Sequence, residues 1–391
     1  MPRTRTTIVT GIDIGTSHIK VVVGERVSSE VYPSIRAAVS VESFGMRRGY
    51  IDSAGELTKS IERALLLASK QAGIDIHRVV VGVHGIGMVS IPGSGHAIIT
   101  RADSQVTNLD TNKAIQNAED GIGEQKNQKL IHTIPQKWKL DGKDIATKIM
   151  GLSGTKLELK TLCITYPEQQ VEEILSIFES LGIDVDDIVA SPLASSLCLL
   201  SKKQRVAGSC IVDIGADVST LVAYENSVPL FVHSFPIGSN DITHDIALGL
   251  KVSLEDAERM KRGTFEGVVS KRKVDEIIKA RLTDIFELAD AQLKKSHRSG
   301  LLPAGALLTG GGATQKITEE VAKNILRVPV TTESPELTAI TKGKFKDTTY
   351  GVAFGLALLT NESQGSSERN IKDILKNTFR SIITFFKQFL P

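Results

Sequence analysis

The chain is poor in the residues that mark several whole classes of protein. Its 391 residues include three cysteines, Cys163, Cys198 and Cys210, and no C-x-x-C spacing. A disulfide framework and a cysteine-ligated metal are therefore not expected, and the three thiols suit a reduced compartment. No run reaches the roughly 18 consecutive apolar residues that a membrane-spanning helix requires. Residues 1–7 carry Arg3 and Arg5 with no apolar run behind them, so a secretory signal is not expected. A surplus of one charge is also lacking: the formal net charge is +2. That gives no electrostatic footprint for nucleic acid. What remains is an ordinary globular composition, 41% hydrophobic and 24% charged. A chain of this length and make-up predicts two or more lobes.

The pattern opens with two β-rich runs, 8–14 and 19–23, joined by the turn Gly15-Thr16-Ser17-His18. A third strand is predicted within 34–41. Ser53 opens a helix, with Glu56 placed for a capping box. Leu57, Ile61, Ala64, Leu65 and Ala68 recur at helical spacing, and Gly73 ends the helix. A strand at 78–83 follows. Residues 84–160 break this rhythm, with more Gly, Asn and Gln and one short helix near 111–119, and predict an inserted subdomain. The βα pattern resumes with a strand at 161–165 and a helix at 168–181.

The second half repeats the opening of the first. Val212-Asp213-Ile214-Gly215 answers Ile12-Asp13-Ile14-Gly15, and each begins a three-strand unit. In the second unit the strands are 209–214, 218–224 and 228–235. Helices follow at 239–248, 254–261 and 273–296. Next come a strand at 306–309, Gly310-Gly311-Gly312, a helix at 315–326 and a last helix at 349–359. Self-similarity at this distance predicts two related lobes.

A glycine in a tight turn lets backbone N–H groups approach a phosphate closely. Two such turns facing each other would clamp a phosphate chain, and an aspartate beside each would hold magnesium through water. This makes Asp13 and Asp213 the candidate metal residues. One Asp-x-Gly alone signals no more than a hairpin; two, each opening the same unit, carry the expectation. Strand–Gly310-Gly311-Gly312–helix adds a third backbone approach to a nucleotide. Glu258 and Lys261, three apart on one helix face, either frame a ribose and base or form an ion pair.

These stretches resemble a known family. The order of elements is similar to that of the actin/Hsp70/sugar-kinase ATPase superfamily, and within it the chain resembles the bacterial cell-division family FtsA. The resemblance is carried by GIDIGTSHIK (11–20), IHTIPQ (131–136), GLSGTK (151–156), SPLASS (191–196) and LTGGG (308–312). It implies an α/β, actin-like two-lobed ATPase fold with an inserted subdomain. Lobe 1 would comprise 1–83, 161–200 and 345–360, and lobe 2 would comprise 201–240 and 304–344. ATP and Mg2+ would lie between them, on Asp13, Gly15, Thr16, Ser17, His18, Lys20, Asp213, Gly215, Ala216, Asp217, Glu258, Lys261 and the three glycines 310–312. The resemblance also implies filaments built partly through the insert (84–160), which would meet later division proteins as well. The outer subdomain 241–303 would receive the C-terminal tail of the tubulin-like protein FtsZ. Arg281 falls at a basic position used for that contact; on its residues alone it is equally a solvated helix face.

One departure stands out. The second turn of the superfamily usually reads Asp-Ile-Gly-Gly-Gly-Thr; here it reads Asp213-Ile214-Gly215-Ala216-Asp217-Val218. A methyl, a negative charge and a lost hydroxyl are expected near the phosphates, so at most slow ATP hydrolysis is predicted. No residue is recognisable from the sequence as a water-activating base.

Residues 361–369 read as a polar linker and 370–391 as a separate amphipathic helix. Ile371, Ile374, Leu375, Phe379, Ile382, Ile383, Phe385, Phe386, Phe389 and Leu390 fall on one half of that helix. Lys376, Arg380 and Lys387 flank the apolar half. This combination predicts an interfacial helix on anionic lipid; packing on a protein partner is the alternative. The combined expectation is an ATP-binding, filament-forming tether for FtsZ on the cytoplasmic face of the membrane at the division site. A type IV pilus assembly relative and a small-molecule kinase of the same superfamily are the alternatives, and the tail argues against both.

Overall fold

The computed structural model describes residues 6–27, 30, 32–145, 148–315 and 317–359. The linker and the tail helix lie outside the described residues. The chain opens with three strands, β1 (Thr6–Ile14), β2 (His18–Val27) and β3 (Ser34–Glu42), paired antiparallel in sequence order. A small hairpin, β4 (Met46–Arg47) and β5 (Tyr50–Ile51), leads into α1 (Ala54–Ala72). α1 buries the expected stripe and stops at Gly73, whose φ of 69° is the left-handed conformation that a glycine adopts without cost. The capping box expected at Ser53 and Glu56 does not form. The Ser53 N–H, which Glu56 would have to accept, already donates to Gly45 O at 3.1 Å.

After β6 (Arg78–Val83) the chain enters the insert: β7 (Val89–Ile98), α2 (Asn108–Gly121), β8 (Gln128–Leu140), β9 (Lys143–Ile145) and β10 (Lys156–Pro167). Its sheet runs β7-β10-β8-β9. β10 is unbroken from Lys156 to Pro167 and pairs along its length with β7 and β8. The boundary expected at residue 160 thus falls inside a strand, and the run at 161–165 belongs to the insert's sheet rather than to lobe 1. The insert also touches lobe 2: Ser90 Oγ donates to Val232 O (2.8 Å) and Gln136 Nε2 to Pro229 O (2.7 Å).

α3 (Glu168–Ser180) returns the chain to lobe 1, followed by β11 (Asp184–Ala190), α4 (Ser191–Leu199) and α5 (Lys202–Ala207). The first sheet is ordered β11-β6-β1-β2-β3, with β6 and β11 parallel to β1. Then β12 (Ser209–Ile214), β13 (Ser219–Glu225) and β14 (Val228–Phe235) repeat the opening meander. Helices α6 (Ser239–Leu250), α7 (Leu254–Arg262) and α8 (Lys271–Lys295) intervene before β15 (Ala306–Thr309). A short 3-10 turn, Gly311–Thr314, precedes the helix expected at 315–326, and the helix itself, α9, begins three residues later than expected, at Thr318–Leu326. β16 (Val330–Thr331), α10 (Pro335–Ile340) and α11 (Gly351–Leu359) complete the described fold.

The second sheet is ordered β14-β13-β12-β15-β16, the same arrangement as the first. Alternation along β12 decides what each of its faces packs against. Cys210, Val212 and Ile214 join the core with α6 and α8, while Ile211 joins the core of lobe 1. The helices of 239–295 therefore share one core with the second sheet. α4 and α11 lie between the two sheets, and Ser196 Oγ on α4 meets Tyr224 Oη on β13 at 2.6 Å. The buried cysteines are free. Among the described residues no helix is long and apolar enough to cross a membrane.

Candidate functional site

The two repeated hairpins put two like turns on opposite walls of one cleft. In the first, Gly15 N–H donates to His18 O at 3.1 Å; in the second, Gly215 N–H donates to Val218 O at 3.0 Å. A Cβ on either glycine would lie 2.5 Å from that same carbonyl oxygen, so no larger residue closes either turn in this way. Between the turns is a cavity of about 770 Å³.

Most of the expected residues line it: Asp13, Gly15, Thr16, Ser17, His18, Lys20, Asp213, Gly215, Ala216, Glu258, Lys261, Gly310 and Gly311. Two do not, Asp217 and Gly312. The Asp217 carboxylate turns away and accepts two N–H groups, from Arg48 N (3.0 Å) on the β4–β5 turn and from Asn240 Nδ2 (2.7 Å). The expected negative charge beside the phosphates is thus spent on a contact between the lobes. Gly312 packs under the turn instead, where a Cβ would lie 2.4 Å from Ile214 Cγ2. Gly310 has φ 87°, and its Cβ would collide with Asp213 Oδ1 at 2.2 Å; only Gly311 is open.

Electrostatics single out the aspartates. Burial pushes Asp13 from 3.8 up to about 6, against the pull of Lys20. Burial likewise raises Asp213, the Asp13 charge adds to it, and His84 and Lys20 oppose. Asp13 Oδ1 is buried and finds no hydrogen-bond partner among the described residues. Two half-buried carboxylates in one cleft, one with an oxygen unsatisfied, fit a hydrated divalent cation shared with ligand phosphates. No cluster of three or more His, Cys, Asp or Glu that would hold a metal without such a ligand occurs among the described residues.

Lys20 Nζ donates to Thr349 O (2.8 Å), and Ser17 Oγ meets His18 Nδ1 (2.8 Å). Burial lowers His18, and the Lys20 charge lowers it further. Of the two readings left open by their spacing, Glu258 and Lys261 form the ion pair, at 2.7 Å, and both side chains line the cavity. Lys261 also donates to Thr243 Oγ1 (2.7 Å) and Ser239 O (3.0 Å). Burial would raise Glu258, but hydrogen bonds from Lys261, Thr243 and Arg262 outweigh it and hold the carboxyl down to about 2. Arg281 lies away from the cleft. Its guanidinium is bidentate on Asp245 (2.7 and 2.9 Å) and reaches Asp284 at 3.2 Å, so it is an ion-paired link from α8 to α6 rather than a freely solvated cation.

Sequence reasoning missed further cavity residues, among them His84, Ser191 and Thr243. His84 and Ser191 each follow directly on a parallel strand, β6 and β11, at the strand end where ligands of α/β sheets gather. Strand position was thus the available signal, but β11 itself was not foreseen.

Two duplicated sheets with a ligand-sized cleft between them define an actin-like ATPase fold. Solved structures with this fold include the PilM–PilN type IV pilus biogenesis complex, with a TM-score of 0.66, 18% identity and coverage of 90% of this chain and 97% of that one. Another is the ethanolamine utilization protein EutJ from Carboxydothermus hydrogenoformans, at 0.54, 14%, 90% and 89%. The family model for "Cell division protein FtsA" matches residues 210–355, and that for "SHS2 domain inserted in FTSA" matches 89–165, together more than half of the chain. The FtsA of Pseudomonas aeruginosa is 26% identical over 384 residues, covering 92% of this chain and 91% of that protein. Those of Bacillus subtilis (27%; 88% and 81%) and Escherichia coli K12 (25%; 93% and 93%) are similar. The chain belongs to the FtsA family of cell division proteins.

Proposed function

We propose that this cell division protein binds ATP with magnesium in the cleft and assembles with copies of itself. In this reading it also holds FtsZ at the inner face of the membrane through residues 370–391. The observation that supports the reading most directly is the pair of like glycine turns facing each other across the cavity, each with a raised aspartate beside it. Gly310 and Gly311 supply a third backbone approach, and Glu258 with Lys261 lines the same cavity. Titration of the chain with a fluorescent ATP analogue, with and without magnesium, tests it. Saturable binding that weakens on chelation of the metal is expected. Absence of saturation at millimolar nucleotide would remove the nucleotide from the reading.

Docking of the FtsZ tail on the 241–303 helices is the second part. Arg281 is already paired with Asp245, so an acidic peptide would have to share or displace that carboxylate. Arg281→Gln is expected to weaken an acidic, hydrophobic FtsZ tail peptide by about tenfold, a charge-assisted hydrogen bond's worth, and to leave ATP binding unchanged. Equal peptide affinity in the variant takes Arg281 out of the interface.

A further inference from the structure

Asp217 stands in the second glycine turn, at a place where the superfamily pattern has glycine, and its half-buried carboxylate joins the two lobes. Oδ2 accepts the Arg48 N–H of lobe 1 at 3.0 Å, and Oδ1 accepts Asn240 Nδ2 of lobe 2 at 2.7 Å. Both ends of this contact are braced. On the lobe 2 side, the Ser239 N–H donates to Gly215 O (2.9 Å) and the Asn240 N–H to Ala216 O (2.8 Å), so the turn is fastened to the first residues of α6. Gly238 permits that approach, since a Cβ there would lie 2.3 Å from Ala216 O. The same helix carries Thr243, whose hydroxyl accepts from Lys261 at 2.7 Å. On the lobe 1 side, the tip of the β4–β5 hairpin is left-handed, with Arg48 at φ 50° and Gly49 at φ 79°. Residues with a side chain seldom adopt that region, and here the packing enforces it. A Cβ on Gly49 would lie 2.7 Å from Gly85 Cα, and the buried Tyr166 Oη lies 3.2 Å from Gly49 O and 3.1 Å from His84 O. The hairpin tip is thus held against the base of the insert and cannot follow lobe 2 when that lobe moves.

We propose that the Asp217–Arg48 contact is a clasp that holds the cleft closed and sets how fast nucleotide enters and leaves. The proposal rests on the reading that the cleft binds ATP. α4 and α11 pack between the two sheets, so the lobes part by pivoting on that packing. A ligand gripped by the turns 15–18 and 215–218 is trapped while the second turn is tied to lobe 1. The tie is a carboxylate accepting a backbone N–H, a charge-assisted bond stronger than a neutral one. Entry and exit both wait for this bond to break. Its loss therefore speeds both, and their ratio, the affinity, stays nearly the same. A carboxylate that touched or repelled the phosphates would change the affinity instead.

Stopped-flow mixing of the full chain with a fluorescent ATP analogue and magnesium tests it. Asp217→Ala should raise the association and dissociation rates about tenfold each, and the affinity should stay within about threefold. Asp217→Asn keeps an oxygen for the Arg48 N–H, and the Asn240 amide can turn over to meet the new NH2 group, so its rates should stay near those of the wild type. If Asp217→Ala does not fold, Asp217→Gly, the residue usual at this place, replaces it. In the ligand-free chain, exchange of the Arg48 amide hydrogen should be slow in the wild type and in Asp217→Asn, and fast in Asp217→Ala. Unchanged rates in Asp217→Ala overturn the proposal. So does a faster dissociation matched by an equal loss of affinity, which would make the turn a binding element. Asp217→Asn behaving like Asp217→Ala also overturns it, because charge and not the clasp would then be the cause. A wild-type chain that binds no nucleotide overturns the gating role together with the ATP reading, whereas saturable binding with unmoved rates overturns the clasp alone.

Discussion

Replacing Asp13 by asparagine is expected to stabilise the ligand-free chain and to weaken its binding of magnesium ATP about a hundredfold. Asp13 titrates at about 6 in the folded chain against 3.8 ordinarily, because burial disfavours its charged form. Between those values the folded state keeps a proton that the unfolded state has released. Stability therefore falls as pH rises from about 4 to about 6 and stays low above that. A rise from 3.8 to about 6 corresponds to roughly 3 kcal/mol. Removing the charge also relieves Asp213, which the Asp13 carboxylate pushes up. Asp13→Asn should thus melt higher than the wild type at pH 7.5, and the difference should vanish near pH 4, where both side chains are neutral. Magnesium ATP would lose a charged partner in the cleft, a cost of about 3 kcal/mol or more, and so about a hundredfold in affinity. Thermal melts at the two pH values and a nucleotide titration check both halves. Wild-type affinity in the variant would remove Asp13 from the metal site, and an equal gain in melting temperature at pH 4 would show that its charge is not the cause.

That trade between stability and ligand was half legible in the sequence. Asp13 and Asp213 were identifiable because each stands beside a glycine that closes a tight hairpin, and hairpins are local. Their repetition also disclosed the two lobes, and the second sheet does repeat the strand order of the first. Burial and mutual repulsion are not local, and the raised carboxyls became apparent only in the folded cleft.

The misses have the same origin. β11 reads Asp-Val-Asp-Asp-Ile-Val-Ala, and its three acids hide a strand that lies flush against β6. Without β11, Ser191 had no strand end to mark it. Asp217 was expected to repel phosphate because its neighbours in sequence suggest nothing else. Its partners are the Asn240 side chain and the Arg48 backbone N–H, the second 169 positions away, which no local pattern can supply. The Ser53 cap failed for a similar reason: Gly45, outside the helix, had already taken the N–H that Glu56 needed. The Lys160 boundary failed because a composition change marks where surface residues change, while β10 runs on through it.

Truncation after Glu368 is expected to release the chain from anionic vesicles altogether. The ten apolar residues expected on one face of 371–390 include four phenylalanines, Phe379, Phe385, Phe386 and Phe389, and Asp373 is the one acid among Lys372, Lys376, Arg380 and Lys387. Full burial of a large apolar side chain is worth about 1.5–3 kcal/mol. Insertion at an interface is shallower and must offset the ordering of the helix, so the net is nearer about 0.5 kcal/mol from each of several residues. Each basic residue near an anionic surface adds about 1 kcal/mol. One such helix would give reversible attachment, and a row of them on associated chains would give firm attachment by multivalency. A charge in the middle of the apolar half should therefore be as damaging as truncation. Phe386→Glu is expected to leave the chain in the supernatant of a vesicle co-sedimentation assay, whereas Gln388→Glu on the polar half should pellet nearly as well as wild type. Charge reversal at Lys376 and Arg380 should weaken binding to anionic vesicles alone, and added salt should reproduce the loss. Equal pelleting by the truncated and full-length chains would place the membrane contact elsewhere. Release of Phe386→Glu without any dependence on salt or anionic lipid would instead assign the helix to a protein partner.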